Sequence, residues 1–171
     1  MTFDFYYFSF LEELSAFNSS NELYYSVFSI EQLLKNVAIS FAISLDTNEA
    51  DIEFSSSISD SLGEFTGDKI KLQELVLNLL KNAEEAITEQ GSIHLAASRS
   101  GDIITITCTD TGCGITPEQM ECIFQPFVTY KPGGTGLGLA FSRKIAEAHE
   151  GTLTAVSTPQ ESTTFTVTLP V

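Results

Sequence analysis

Basic residues are scarce in this chain of 171 residues, where eight Lys and Arg stand against 23 Asp and Glu and the formal net charge is −15. Binding to nucleic acid or to anionic lipid depends largely on basic side chains that offset phosphate charge. The composition therefore argues against nucleic acid as a partner and against membrane contact by this segment. An anionic ligand would need a metal ion, backbone N–H groups or a few well-placed cations to balance its charge.

Cysteine is also rare, and the three residues Cys108, Cys113 and Cys122 form no C-x-x-C pair. The pattern therefore indicates neither a disulfide framework nor a zinc site. No apolar run approaches the roughly 20 residues that span a bilayer. The amino-terminal stretch MTFDFYYFSF lacks basic residues and a small-residue cleavage site, so it does not match a signal peptide. We expect a cytoplasmic chain, while a full-length parent that is membrane-anchored stays open.

Residues 1–27 differ from the rest because their large side chains recur at intervals of three and four, which predicts one helical stripe. The stripe consists of Phe3, Tyr7, Phe10, Leu14, Phe17 and Tyr24. Two interpretations are open: a helix that docks on a partner helix, or a terminal helix that packs on its own domain. We predict that a separate domain follows over residues 28–171.

Helix and strand signals alternate along this second region. The predicted helices are a segment capped by Ser29 that ends near Phe41, a long one from Asp68 to Ile87, a short one at Thr116 and one over 136–150. The predicted strands cover 51–56, 92–98, 102–109, 152–157 and 163–169. This mixture predicts an α+β fold, a two-layer α/β sandwich with helices on one face of a mixed, mainly antiparallel sheet.

Two asparagines lie one helical turn apart in the apolar segment LQELVLNLLKNAEEAI, at Asn78 and Asn82. Asn is a poor residue for a helix interior, because its amide competes with the backbone for hydrogen bonds. A side-chain oxygen at such a position suits Mg²⁺, and the amide N–H₂ suits phosphate. On spacing alone, a ligand-binding role and simple exposure to solvent are equally open.

Two glycine-rich segments follow the asparagines. Asp110 ends an apolar run and is followed by Gly112 and Gly114, so a carboxylate that can accept from an adenine amine stands beside a tight turn. Most such strings are surface turns, and on this pattern alone that interpretation stays open. The second segment, KPGGTGLGLA, begins at Lys131 and leads into a helix. A glycine-rich loop at a helix start presents free N–H groups to phosphate, although it would equally suit a mobile lid.

Taken together, these motifs resemble the ATP-binding domain of bacterial sensor histidine kinases, a branch of the ATPase superfamily that includes gyrase, a heat-shock chaperone and mismatch-repair proteins. LVLNLLKNAEEAI resembles the asparagine box of that family and DTGCGI its first glycine box. IFQPFVTYKPGGTGLGLAFSRKIAEAHEG resembles its phenylalanine box, lid and second glycine box. The resemblance extends from about Phe28 to Val171.

The resemblance implies ATP and Mg²⁺ as cofactors, with Asn82 as the metal ligand and Asn78 beside the triphosphate. It implies that Asp110 accepts from adenine and that Lys131 reaches phosphate, with Asn78, Asn82 and Lys131 as the catalytic set. The further positions that it assigns to ATP binding are Gly112, Gly114, Ile115, Phe124, Phe127, Gly134, Thr135, Gly136, Leu137, Gly138, Leu139 and Thr163. Phe124 and Phe127 are expected to anchor the lid.

The sequence departs from the family pattern at three points. Gln160 and Ser162 replace glycines that are usual before Thr163, and Glu85 stands where some relatives carry a phosphate-facing cation. The phosphoacceptor is also missing. His94 lies in a predicted strand, and His149 ends a predicted helix, where an imidazolium would be favoured. The acceptor histidine is therefore expected from a dimerisation domain in cis or in trans, with a response regulator downstream. Residues 1–27 are too short for the two-helix dimerisation hairpin of the family, but the resemblance allows them to be the tail of its second helix.

The expected function is transfer of the ATP γ-phosphate to a histidine of another domain or chain. The alternative is a nucleotide-binding regulatory module of the same fold without kinase activity. An ATP hydrolase is disfavoured, because Asn78 stands where gyrase-type relatives carry a glutamate that acts as general base. A serine-directed anti-sigma kinase is disfavoured for the same reason, since such domains usually keep an acidic residue there.

Overall fold

The computed structural model of the protein describes residues 23–45, 50–131 and 134–171. The helices in these ranges are α1 (Ile30–Leu45), α2 (Lys69–Ala86), α3 (Pro117–Met120) and α4 (Gly138–Ala148). The strands are β1 (Ser26–Ser29), β2 (Asp51–Ile58), β3 (Glu64–Gly67), β4 (Gln90–Ser100), β5 (Ile103–Asp110), β6 (Thr152–Thr158) and β7 (Ser162–Pro170).

The main sheet has the strand order β2-β4-β5-β7-β6. β2 pairs with β4 in parallel, and the other neighbouring strands are antiparallel. Every second side chain is buried in β5, from Ile104 to Asp110, and in β7, from Thr163 to Leu169. Such alternation is expected when only one face of a sheet is covered. β1 and β3 form a separate antiparallel pair.

Helices α1, α2 and α4 cover the buried face of the sheet. α1 begins where the Gln32 N–H donates to Ser29 Oγ across 3.2 Å. α2 begins at Asp68, whose Oδ1 accepts from the N–H groups of Ile70 and Lys71 at 3.1 Å each. Both caps satisfy backbone donors that a first helical turn leaves unpaired. Buried apolar side chains fill the space between the layers, among them Leu34, Leu75, Leu80, Ile93, Leu95, Ile104, Val167 and Leu169.

The predicted fold class is confirmed, since helices cover one face of a mixed and mainly antiparallel sheet. The strand β3 is a difference, because residues 64–67 are not among the predicted strands. Its four residues are too few for an alternating pattern to be recognised, and only Phe65 and Gly67 in it are buried. Among helices of the described ranges, none has both the length and the apolar character that crossing a bilayer requires.

The predicted amino-terminal helix falls mostly on residues 1–22, which lie outside the described residues. For the end of that segment the helix prediction is wrong. Residues 23–25 are not helical, and Ser26–Ser29 form β1 because their backbone pairs with Glu64–Gly67. Tyr24, the last member of the predicted stripe, instead donates its backbone N–H to Asp68 Oδ2 across 2.9 Å. The boundary at residue 28 stays a prediction.

Candidate functional site

A cleft of about 300 Å³ lies beside the carboxyl-terminal half of α2, where β5 ends and β7 begins. This volume is at the lower end of the range for small-molecule pockets, about 300–1,000 Å³. The fold brings together here several predicted site residues that are far apart in the sequence. Those lining the cleft are Asn82, Asp110, Gly114, Ile115, Lys131, Gly136, Gly138, Leu139 and Thr163.

Asp110 is the last residue of β5, and only 1% of it is exposed. The Gly112 N–H donates to its Oδ1 across 2.9 Å, whereas no residue in the described ranges donates to Oδ2. Burial raises the pKa of Asp110, while the Gly112 hydrogen bond and the charge of Lys131 act in the opposite direction. The cleft wall therefore carries a buried acceptor whose second oxygen is left for a donor from a ligand.

Thr163 faces Asp110 in the register of β5 and β7 and is 3% exposed. Ser157 Oγ accepts from the Ile115 N–H at 2.8 Å and donates to the Ser162 carbonyl oxygen at 2.6 Å. A hydroxyl has one hydrogen, so Thr163 must be the donor in its 3.0 Å contact with Ser157. Toward a ligand, Thr163 can therefore act only as a hydrogen-bond acceptor, as can Asp110 when it is ionised.

Gly112 and Gly114 sit where no side chain fits. A Cβ on Gly112 would lie 2.5 Å from the carbonyl oxygen of Ala86. Gly114 has a φ of +67°, and a Cβ there would lie 2.8 Å from Cα of Pro159. These positions require the freedom and small size of glycine. Gly114 forms part of the cleft wall, whereas Gly112 lies behind it and supports Asp110.

Asn82 and Lys131 are joined across the cleft. Lys131 Nζ donates to Asn82 Oδ1 at 3.1 Å and to Glu85 Oε2 at 2.6 Å. Asn82 Nδ2 donates to the Asn78 carbonyl oxygen at 2.8 Å, which fixes the amide so that Oδ1 points to the cation. Within the described residues, no group of three or more His, Cys, Asp or Glu side chains could hold a metal. A metal here would need oxygen atoms from a ligand in addition to those of the protein.

Asn78 does not line the cleft. Its Nδ2 donates to Ser142 Oγ at 2.8 Å, and a Cβ on Gly138 would lie 2.6 Å from its Oδ1. Asn78 thus connects α2 to the first turns of α4. The N-cap of α4 is Leu137, which makes no side-chain capping bond. An eleven-residue helix that begins in this way keeps backbone N–H groups available for an anion.

Residues 125–131 and 134–137 belong to the predicted lid, and a backbone hydrogen bond joins them at a point that we call the neck of the lid. The Phe127 N–H donates to the Gly136 carbonyl oxygen at 3.0 Å. Phe124 packs edge-on against Phe165, with ring centroids 6.5 Å apart. Phe127 is 58% exposed, so its ring does not anchor the lid as expected, and its contribution comes from the backbone. Phe127 has a φ of 66° at this point of the chain.

Three other predicted positions in the lid lie away from the cleft wall. The Gly134 N–H donates to the Lys131 carbonyl oxygen at 3.1 Å. Thr135 Oγ1 accepts from the Leu137 N–H at 3.3 Å, and Leu137 is 1% exposed. These bonds shape the lid and the start of α4. As ligand contacts, the three residues stay predictions.

Sequence reasoning missed about half of the cleft wall. The missed residues are Glu85, Ala86, Cys113, Gln119, Ile123, Val128, Thr129, Tyr130 and Phe165. Glu85 departs from the family pattern, and its position three residues after Asn82 puts both side chains on one helical face. The apolar members carry a core-like pattern, and nothing in their spacing distinguishes a cleft wall from a core.

Both histidines of the chain have each ring nitrogen engaged. His94 contacts Ser55 Oγ and Ser57 Oγ of β2, each at 2.8 Å. His149 is 4% exposed, and its Nε2 accepts from the Asp68 N–H at 2.9 Å. His149 is the C-cap of α4 as expected, but the imidazolium expected there is wrong, because a nitrogen that accepts an N–H carries no proton.

Comparison with known proteins identifies the family of this chain. The family model described as "Histidine kinase-, DNA gyrase B-, and HSP90-like ATPase" matches residues 67–171. The chain belongs to this ATPase family. The predicted identification as a histidine-kinase-type ATP-binding domain is thereby confirmed.

Within this ATPase family, the chain is 41% identical to the sensor histidine kinase ZraS of Escherichia coli K12 over 129 residues. The aligned region covers 75% of this chain and 28% of ZraS. The fold of this chain is similar to the catalytic domain of the histidine kinase ThkA, with a TM-score of 0.76, 27% identity and coverage of 86% and 95% of the two chains. It is also similar to full-length ShkA in complex with AMPPNP, with a TM-score of 0.83, 28% identity and coverage of 95% of this chain and 35% of ShkA.

Proposed function

We propose that this domain binds Mg²⁺ and ATP in the cleft and transfers the γ-phosphoryl group to a histidine supplied by another domain or chain. One observation carries the proposal. The same cleft is lined by a buried acceptor, Asp110, by an amide–ammonium pair, Asn82 and Lys131, and by Gly138 at the start of α4, which has no side-chain cap. A nucleotide has a complementary arrangement, with an amine on its base and charged phosphates at its other end.

At the base end, the proposal assigns Asp110 and Thr163 as acceptors for the exocyclic amine of adenine. Thr163 already donates its hydroxyl hydrogen to Ser157, and Oδ2 of Asp110 accepts from no residue in the described ranges. Guanine carries a carbonyl oxygen at the corresponding position, and two acceptors would repel it. Gly114 and Ile115 form the adjacent wall, where the absence of a side chain on Gly114 lets a flat ring approach the backbone.

At the phosphate end, Asn82, Lys131 and the start of α4 with Gly136, Gly138 and Leu139 are proposed to hold the triphosphate. The donor set fits Mg²⁺, since the neutral Oδ1 of Asn82 already contacts a cation, the Lys131 ammonium. When bound, Mg²⁺ neutralises charge that develops on the transferred phosphoryl group. The N–H groups of α4 and the ammonium of Lys131 would supply further positive potential.

Asn78 supports a kinase rather than a hydrolase. Its amide donates to Ser142, and no carboxylate stands at this position to take a proton from water. Phosphoryl transfer depends mainly on positioning and charge stabilisation, so a domain without a general base can still present ATP to an incoming acceptor.

The engaged histidines support an acceptor from elsewhere. His149 is buried, and both rings already use their two nitrogens. We therefore propose a histidine-bearing dimerisation domain, in cis or in trans, and a response regulator as partners. We also propose a cytoplasmic location, because three unpaired thiols and an ATP substrate suit a reducing compartment.

The test is incubation with γ-labelled ATP, alone and with a separate histidine-bearing dimerisation domain of a sensor histidine kinase. We expect binding of Mg·ATP, very slow hydrolysis and no stable label on the isolated domain. Addition of a matching dimerisation domain should give an acid-labile, base-stable label on that partner. Binding without transfer to any partner would favour the regulatory module. Rapid phosphate release by the domain alone would favour a hydrolase, and an acid-labile label on His94 or His149 would contradict the external acceptor.

A further inference from the structure

The Lys131 ammonium occupies a position defined by two oxygens of the same helix. Asn82 Oδ1 lies 3.1 Å and Glu85 Oε2 lies 2.6 Å from Lys131 Nζ. Asn82 and Glu85 are three residues apart in α2, so they project from one face of the helix. One neutral oxygen and one carboxylate oxygen thus converge on a single point, and that point holds a positive charge.

Glu85 is difficult to reconcile with a phosphate site unless a cation accompanies it. The side chain lines the same cleft as Asp110 and Asn82. A triphosphate entering the cleft would add several negative charges beside the Glu85 carboxylate, and like charges at short range repel. Lys131 is one ammonium, and it cannot remain on Glu85 and also serve the phosphates fully. A divalent cation between carboxylate and phosphate would remove the conflict.

We propose that Glu85 is, together with Asn82, a protein ligand of the Mg²⁺ that accompanies ATP, and that Lys131 holds this position in the nucleotide-free domain. Mg²⁺ in phosphoryl-transfer sites is usually held by one or two carboxylates together with substrate phosphates, which matches this donor set. Exchange of the ammonium for the metal frees Lys131 to contact phosphate. The inference rests on the proposed function, because it assigns a further residue to the same site.

A simpler role for Glu85 makes the opposite prediction. As a mere tether for the lid, the ion pair would contribute little to stability, about 0–1 kcal/mol, since the Lys131 and Glu85 side chains are 40% and 58% exposed. Loss of a tether would free Lys131 for phosphate and strengthen ATP binding at every Mg²⁺ concentration. Loss of a metal ligand would instead raise the Mg²⁺ concentration that ATP binding requires.

The experiment measures ATP binding by calorimetry over a series of Mg²⁺ concentrations, including none, for the unchanged domain and for Glu85→Ala and Glu85→Gln. We expect Glu85→Ala to raise the half-saturating Mg²⁺ concentration at least about tenfold, the lower limit for disturbing a metal shell. ATP affinity without Mg²⁺ should stay equal or increase, because a repelling charge is gone. Glu85→Gln keeps a side-chain oxygen, so its half-saturating Mg²⁺ concentration should lie between those of the unchanged domain and Glu85→Ala.

Glu74→Gln is the matched control, since it removes a negative charge from the same helix at a residue that pairs with Lys71 and lies outside the cleft lining. It should leave the Mg²⁺ dependence unchanged. Equal Mg²⁺ dependence of the unchanged domain and both Glu85 variants would overturn the inference while leaving ATP binding in place. Tighter ATP binding at all Mg²⁺ concentrations would also overturn it, in favour of the tether. If the unchanged domain bound no ATP at any Mg²⁺ concentration, the proposed function itself would fail.

Discussion

The backbone N–H of Asp68 donates to Nε2 of His149 across 2.9 Å, in a buried contact between the start of α2 and the end of α4. Because Nε2 accepts, the proton resides on Nδ1, which donates to the Ile145 carbonyl oxygen at 2.8 Å. The ring also lies near Tyr25 and Phe65, with centroids 5.8 and 6.1 Å away. His149 thus connects two helices and the β1–β3 pair as a neutral structural residue.

We expect His149→Leu to lower the free energy of unfolding by about 1–3 kcal/mol, the cost of leaving a buried donor without a partner. Urea unfolding followed by circular dichroism measures this loss. His149→Gln should lose less, because its side-chain oxygen can accept from the Asp68 N–H. His94→Leu is the control: its bonds to Ser55 and Ser57 are on the exposed side of the sheet. Equal losses at His94 and His149 would contradict the structural role of His149.

Asp110→Asn should weaken ATP binding by about 1.5–3 kcal/mol, the range for hydrogen bonds to charged groups. The Asn oxygen can still accept from the Gly112 N–H, so the turn should persist while the cleft loses its carboxylate. Calorimetric titrations with ATP and GTP measure both affinity and discrimination, and the variant should discriminate less. Equal affinity of the unchanged protein for ATP and GTP would count against Asp110 and Thr163 as acceptors for adenine.

The raised pKa of Asp110, caused by burial, also gives a dependence on pH. As pH falls through this raised value, the carboxyl takes up a proton and ATP affinity should decline earlier than for an ordinary Asp. Stability follows the opposite course. The Asp110 carboxyl holds its proton more tightly in the folded state than in the unfolded chain, and this difference stabilises the fold. The stabilisation is fully present below the unfolded pKa of about 3.9. It is lost as pH rises through the folded pKa.

Asp110→Asn should therefore unfold at higher urea concentration than the unchanged protein at pH 7, and this advantage should vanish in acid. Urea unfolding at a series of pH values checks both statements. A variant that is less stable at pH 7 would mean that the Gly112 hydrogen bond and the Lys131 charge outweigh burial.

The fold was predictable because its elements carry local signals. Asp68 begins α2 as expected, and α3 begins at Thr116 as expected, where Thr116 and Gln119 form a capping box. The signals failed where pairing with distant residues decides the structure. Residues 26–29 are a strand only because residues 64–67 lie opposite, and neither segment shows its partner in its own pattern. The imidazolium prediction for His149 is wrong for the same reason, since the N–H group that sets its tautomer lies 81 residues away.

The candidate site was predictable where a residue type is unusual for its position. Asn82 in an apolar helix and Asp110 at the end of an apolar strand both stand out, and both line the cleft. Asn78 has the same unusual character but serves a contact between helices in this structure. Ile123 and Phe165 were missed because an apolar residue on a cleft wall has the same pattern as one in the core.

Asn82→Ala should abolish the gain in ATP affinity that Mg²⁺ provides, because the variant lacks the proposed ligand oxygen. The fold should persist, since Ala favours helices and since, in the described part of the chain, the Asn82 amide bonds only within its own helix and to Lys131. Calorimetric titration of ATP with and without Mg²⁺ measures the gain, and Lys81→Ala, an exposed change on the same helix, is the control. A folded variant with undiminished Mg·ATP affinity would remove Asn82 from the metal site.

Gly136→Val should disable phosphoryl transfer to an added histidine-bearing domain. Gly136 has a φ of +70°, and a Cβ there would lie 2.6 Å from the Phe127 carbonyl carbon and 2.7 Å from the Val128 nitrogen. Val can relieve this clash only by opening the neck of the lid, which the Phe127 N–H closes through its bond to the Gly136 carbonyl oxygen. Transfer of label from γ-labelled ATP measures the loss, and we expect a larger effect on transfer than on the unfolding midpoint.

Gly101→Val separates backbone strain from the opening of the neck. Gly101 has a φ of +60°, but a Cβ there would meet nothing within 4 Å. Both variants force a β-branched residue into a backbone region that favours glycine, yet Gly101 lies in the hairpin between β4 and β5, outside the cleft lining. Gly101→Val should therefore reduce stability and leave transfer intact at temperatures where the domain is folded. If the two variants lost transfer equally, strain alone would explain the result, and closure of the neck at Gly136 would have no part in presenting ATP to the acceptor.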